Sequence, residues 1–144
     1  MTIPLHLLDT NHMSILERQS PESQRLEARM LALPQDDIGT TIISYEEQTR
    51  GWLAFSAQAR AQEMQIAAYQ RLKRHLDIYC RIAVIPYDEK AAEVFERLKL
   101  AKIRIGTMDL KIAAIALAGN ATLLTRNLHD FNKVPDLKAE DWSI

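Results

Sequence analysis

Ile3-Pro4-Leu5-His6-Leu7-Leu8-Asp9 is a short apolar run that stops abruptly at a carboxylate. A run of this length, bounded at once by an acid, predicts a buried first β-strand over 3–8. The same signature recurs downstream. Ile38 to Ser44 carries β-branched Ile38, Thr40, Thr41, Ile42 and Ile43 and predicts a second strand. Ile82 to Ile85, closed by Pro86, predicts a third, Thr122 to Thr125 a fourth, and Leu137 to Trp142 contains a short fifth.

Helices are expected between them. His12 to Arg18 forms one, with Asn11 as its cap, and Pro21 begins another whose apolar side is Leu26, Met30, Leu31 and Leu33. Tyr45 to Phe55 and Ala57 to Tyr79 are rich in Ala, Gln, Glu and Arg, good helix formers. Asp88 or Glu89 opens a further helix to about Ala101, and Met108 to Ala118 forms the last. Strands alternating with helices predict an α/β fold with a parallel sheet covered on both faces.

The 144 residues suit one ordinary domain, and 47% apolar composition is enough for one core. Eighteen Lys and Arg against nineteen Asp and Glu argue against coating nucleic acid by bulk charge, while leaving room for a local basic patch. The lone Cys80 forms no internal disulfide and builds no Cys-rich metal site. Ile112 to Ala118 is too short to cross a bilayer, and the opening residues lack the pattern of a secretion signal. The expectation is a cytoplasmic protein with no membrane contact.

The informative residues are acids placed where burial disfavours them. On a helix, Ile112, Ala113 and Ala116 lie within about 60° of Asp109, which puts that carboxylate in the apolar stripe. It needs a partner there, unless it serves only the helix start. Asp9 ends the first strand, Glu46 and Glu47 follow the second, and Asn127 and Asp130 follow the fourth. Each alone reads as a cap or turn residue. Together they bring oxygens to the carboxyl edge of a parallel sheet, where such folds bind ligands. Crowded acids repel unless a cation neutralises them, and oxygen ligands suit Mg²⁺ or Mn²⁺. Gly51, one turn beyond Glu47, is expected to let another element approach closely.

The residues resemble those of PIN-domain proteins, specifically the VapC toxins of bacterial toxin–antitoxin pairs. Four blocks carry the resemblance: Leu7-Leu8-Asp9-Thr10-Asn11, Ile43 to Gly51, Ile105 to Ala114, and Leu124-Thr125-Arg126-Asn127-Leu128-His129-Asp130-Phe131. The tail Val134 to Leu137 with Glu140-Asp141-Trp142 adds to it. It implies one PIN domain over 1–144, a three-layer sandwich around a short parallel sheet of four to five strands. It also implies an acidic cluster that binds Mg²⁺ or Mn²⁺ and hydrolyses RNA. The family's first acid falls on Asp9, its second on Glu47 (with Glu46 one register away) and its third on Asp109. Many relatives carry Asp where this chain has Asn127, with Asp130 the nearest carboxylate, so both are carried as candidates.

The expected chemistry is endonucleolytic hydrolysis by a metal-activated water, with Asp9, Glu47, Asp109 and Asn127 as ligands. Thr10, Asn11 or Thr125 is placed to position water or phosphate, and Arg50, Lys102, Arg104 and Arg126 to grip the RNA backbone. His12, His75 and His129 are read as surface or capping residues, and Trp52 and Trp142 as packing residues. A cognate antitoxin and a homodimer are the implied partners, with Leu26, Met30, Met64, Tyr69 and Leu76 as apolar contact candidates. An inactive PIN-like module that binds RNA or protein is the alternative, suggested by Asn127. A phosphoacceptor receiver-type domain fits poorly, because Thr10-Asn11 follows Asp9 where such a domain has a second acid.

Overall fold

The computed structural model describes residues 3–144. Five strands, β1 (His6–Leu8), β2 (Ile38–Thr41), β3 (Ala83–Ile85), β4 (Thr122–Leu124) and β5 (Ala139–Glu140), form one sheet in the order β3-β2-β1-β4-β5. Every pairing is parallel; Leu7 stands opposite Gly39 on one side and Leu123 on the other. The chain leaves β1 toward β2 and β3 and later returns to β4 and β5 on the opposite flank. The strand order therefore reverses beside β1, which opens a crevice at the carboxyl ends of β1 and β4.

Seven helices connect the strands: α1 (Thr10–Leu16), α2 (Pro21–Leu31), α3 (Ile42–Gln58), α4 (Gln62–Cys80), α5 (Glu89–Leu100), α6 (Thr107–Ala118) and α7 (Leu128–Phe131). Strand period explains the three layers. Leu7 and Leu123 point into a core shared with α5 and α6, including Phe95, Leu98, Ile112 and Ile115. Leu8 and Leu124 point the other way, into a core with Met13, Ile15, Leu26 and Tyr79 from α1, α2 and α4. Both faces of β1 and β4 are covered, so each strand ends in two successive buried leucines, Leu7-Leu8 and Leu123-Leu124, instead of alternating.

Gly39 lies where the sheet is tightest. A Cβ there would stand 2.9 Å from both the Ala83 carbonyl oxygen and Pro4 Cγ. A buried polar ladder joins three helices: the Tyr79 hydroxyl donates to Gln48 Oε1 at 2.5 Å, and Gln48 Nε2 donates to Ser14 Oγ at 2.9 Å. Among the described residues, no helix is long and apolar enough to cross a membrane.

Several expectations are corrected. The second strand ends at Thr41, and Ile42, Ile43 and Ser44 begin α3. Thr41 Oγ1 accepts from the Ser44 amide at 3.1 Å and caps the helix, which outweighs the β preference of Ile42 and Ile43. Asp9 caps α1, where Asn11 was expected to, by accepting from the His12 amide at 2.8 Å. His12 and His75 are not surface residues; both are buried. His75 is held by Thr49 Oγ1 at 2.7 Å and stacks on Tyr45, and its burial lowers its pKa. Leu26 is core and unavailable to a partner, whereas Met64, Tyr69 and Leu76 are exposed. Gly51 has nothing within 4 Å of where a Cβ would sit, so no element approaches there.

Candidate active site

Four separate stretches of chain meet at the carboxyl edge of the sheet. They line a cavity of about 250 Å³ formed by Asp9, Thr10, Asn11, Glu47, Asp109, Asn127 and Phe131. Two larger grooves, one of about 900 Å³ along α4 and one of about 740 Å³ between α2 and the β2–β3 edge of the sheet, hold no comparable group of acids. Chemistry, not size, distinguishes the smaller one.

Asp9 is fixed twice. Its amide donates to the Leu124 carbonyl at 3.0 Å, extending the β1–β4 ladder by one residue, and Oδ1 caps α1. It is 4% exposed, and a carboxylate so buried must find donors or a cation. Capping engages only one of its two oxygens.

The onset of α3 at Ile42 decides which glutamate faces the cavity. Glu47 lines it and accepts from the Thr10 hydroxyl at 2.6 Å. Glu46 points outward and pairs with Arg50 at 2.6 Å, both well exposed.

Asp109 occupies the first turn of α6, a helix whose N-cap, Gly106, has no side chain to offer. The helix is buried from Ile112 to Ala116 while Gly106 and Thr107 at its start are exposed, so Asp109 stands half-buried where the helix enters the core and lines the cavity. Burial pushes the Asp109 carboxyl up to about 6, and the negative charges of Glu47, Asp9 and Asp130 push in the same direction. That cumulative repulsion is the electrostatic signature of a cation site.

Asn127 and Asp130 divide the fourth position. The Asn127 amide donates to Thr125 Oγ1 at 2.9 Å, which turns its side chain to the cavity. Asn127 Nδ2 donates to Asp130 Oδ2 at 3.0 Å, and Lys133 Nζ donates to Asp130 Oδ1 at 3.2 Å. These two donors hold the Asp130 carboxyl below the usual range, and Asp130 is not among the cavity-lining residues.

None of the basic candidates lines the cavity. Lys102, Arg104 and Arg126 are exposed, and the Arg104 carbonyl accepts from Lys133 Nζ at 3.3 Å. Arg50 is engaged with Glu46.

The donor set is all oxygen, as Mg²⁺ and Mn²⁺ require. Among the described residues, however, no three acidic, histidine or cysteine side chains are gathered tightly enough to hold an ion by themselves. A Mg²⁺ ion retains several waters and takes one or two carboxylates directly, so an open arrangement of acids fits it. Sequence reasoning missed Phe131, the apolar wall. It also missed His12 beneath Asp9, although the spacing of three residues places both at the first turn of one helix. Thr125, a positioning candidate beside Thr10 and Asn11, accepts from the Asn127 amide and orients that residue.

This fold and this crevice define an α/β domain with a parallel sheet and an acid-lined cavity at its carboxyl edge, and the family follows from comparison. A PIN domain model matches residues 6–137, and the chain belongs to the PIN domain family. Within that family its likeness is to VapC proteins. Ribonuclease VapC1 of Haemophilus influenzae (strain R2866) is 31% identical over 140 residues, covering 96% of this chain and 98% of the relative. The solved VapBC-1 structure from nontypeable Haemophilus influenzae superposes with a TM-score of 0.70 at 28% identity, over 96% of this chain and 98% of that one. FitAcB from Neisseria gonorrhoeae superposes with a TM-score of 0.71 at 25% identity, over 95% and 97%.

Proposed function

We propose that this chain is an endoribonuclease that hydrolyses RNA phosphodiesters with the aid of Mg²⁺ or Mn²⁺, and that it is the toxin of a toxin–antitoxin pair. One observation carries the reading: Asp9, Glu47, Asp109 and Asn127, from four distant segments, line one small cavity, where burial and then the charges of Glu47 and Asp9 raise the Asp109 carboxyl. The likeness to Ribonuclease VapC1 supports RNA as substrate. The likeness to VapBC-1, with the resemblance to VapC toxins, supports an antitoxin partner.

Asp9, Glu47 and Asp109 would hold the ion, with the neutral oxygen of Asn127 as a weaker fourth donor. When bound, the divalent ion supplies Lewis acidity toward water and toward the phosphodiester. The chain's own residues orient that chemistry. Thr10 fixes the Glu47 carboxylate, the His12 amide fixes Asp9, and Thr125 fixes Asn127. Asp109 gives up its proton near pH 6, so the set is fully charged only above that pH. Lys102, Arg104 and Arg126 are free to meet phosphates along the rim, with Arg50 added when it leaves Glu46. The setting is the cytoplasm, and the active unit is a dimer.

The test is incubation of pure protein with structured RNA and Mg²⁺ or Mn²⁺, beside EDTA and an Asp109→Asn variant. Cleavage by the parent alone is expected; equal cutting by the variant removes the assignment. A binding module without catalysis is the second reading, favoured by Asn127 in place of a fourth acid. It expects RNA to be retained intact in the same assay.

A further inference from the structure

We propose that His12 is a positioning residue for Asp9, holding that carboxylate in register for the ion; this rests on the reading of Asp9 as a metal ligand. His12 is wholly buried on α1, as are Met13 and Ile15, but unlike them it faces polar groups of Asp9 and the C-terminal segment. Its ring bridges two parts of the protein. The Trp142 amide donates to Nε2 at 3.2 Å, so Nε2 presents a lone pair and the ring proton resides on Nδ1. Nδ1 is buried and has no hydrogen-bond partner. It stands 3.6 Å from Asp9 Oδ1, the same oxygen that accepts from the His12 backbone amide at 2.8 Å. One residue therefore sets a hydrogen-bonded backbone N–H and, just beyond hydrogen-bond distance, its ring N–H against one oxygen, and leaves the other oxygen of Asp9 for a cation.

The far side of the ring is anchored. Asp141 Oδ1, 3.7 Å from Nε2, is occupied by the Ser143 amide at 2.8 Å and the Ser143 hydroxyl at 2.6 Å. Arg25 Nε donates to the Ser143 carbonyl at 2.8 Å, which ties this tail to α2. The C-terminal segment thus sets the ring, and the ring sets Asp9. Partners of this kind, one layer behind the ligands, typically change metal affinity by about 10–100-fold.

Two variants separate positioning from packing. An Asn carboxamide reaches about as far as Nδ1 and a Gln carboxamide about as far as Nε2, so His12→Asn retains the donor toward Asp9 and His12→Gln the acceptor for Trp142. Mn²⁺ affinity is measured by calorimetry on the full chain, with thermal melts alongside and Asp9→Asn as reference. His12→Gln is expected to bind about tenfold more weakly, while His12→Asn stays within about threefold of the parent despite melting lower. Unchanged affinity in His12→Gln, or affinities that simply follow melting temperature in both variants, overturns the proposal. Parental affinity in Asp9→Asn removes the ligand reading and the proposal with it. Should neither variant fold, nitrogen NMR of the unmodified chain decides: a proton on Nδ1 and a His12 shift on adding Mg²⁺ support the proposal, and a proton on Nε2 overturns it.

Discussion

The Thr10 hydroxyl donates to Glu47 Oε1 at 2.6 Å, joining residues 37 positions apart in the chain. It locks α1, which follows the first strand, to α3, which follows the second. Thr10→Val removes that donor without changing side-chain volume much. RNA cleavage is expected to fall about tenfold through loss of orientation, with a stability loss of about 1 kcal/mol. Comparing cleavage rates with melting temperatures distinguishes the two effects.

The outward turn of Glu46 and the inward turn of Glu47 make a second prediction. Glu47→Gln is expected to lower cleavage by about 100-fold or more, since it removes a charged ligand. Glu46→Gln breaks only an exposed pair with Arg50, so both activity and stability should stay within about 0.5 kcal/mol of the parent. Equal losses in the two variants would contradict the orientation of α3.

Asp109 makes opposite contributions to stability and to function. Its carboxyl is raised from 3.8 to about 6, so ionising it opposes folding. A shift of that size corresponds to about 3 kcal/mol, which solvent screening at this half-exposed site reduces to about 1 kcal/mol. Asp109→Asn is therefore expected to raise the melting temperature of the metal-free protein by about 2–4 °C while abolishing cleavage. Calorimetric melts and an RNA assay on one preparation test both parts.

The same shift sets a pH dependence. A carboxyl with a raised folded-state pKa is harmless while protonated, so its cost grows as pH rises from about 4 to about 6 and is complete above that. Glu17, raised chiefly by burial, has the same sign. The Asp109 contribution to metal-free stability is expected to decline across this window, read as the difference between parent and Asp109→Asn, since the lowered carboxyls of Asp130 and Asp141 act with the opposite sign in both. A divalent cation competes with the proton on Asp109, so Mn²⁺ should raise the melting temperature more at pH 7.5 than at pH 5. Melts in Mn²⁺ and in EDTA at both values give the comparison.

Gly39→Ala tests the sheet. The added methyl would meet the Ala83 carbonyl and Pro4 at 2.9 Å, and backbone at one of those contacts yields little. A loss of about 2 kcal/mol, or about 4–8 °C in melting temperature, is expected.

Much of this was legible in the residues alone. Leu7-Leu8 and Leu123-Leu124 are apolar on both faces, which announces a covered parallel sheet, and Asp9 and Asn127 stand just beyond them. Asp109 in an otherwise apolar helix announces a carboxylate short of partners. Helix phase was less legible, because Thr40, Thr41, Ile42 and Ile43 read as continuous strand until Thr41 caps α3. Without that boundary, Glu46 and Glu47 were interchangeable. His12 was hidden for a related reason: its surroundings are Asp9 and a tail 130 residues away.

Residue type and strand order determined which oxygens collect at the edge of the sheet, because apolar runs must be buried and the acids that end them stay at the rim. Which oxygens face the cavity, and what stands behind them, was decided only when helix phase and long-range packing set each side chain's direction.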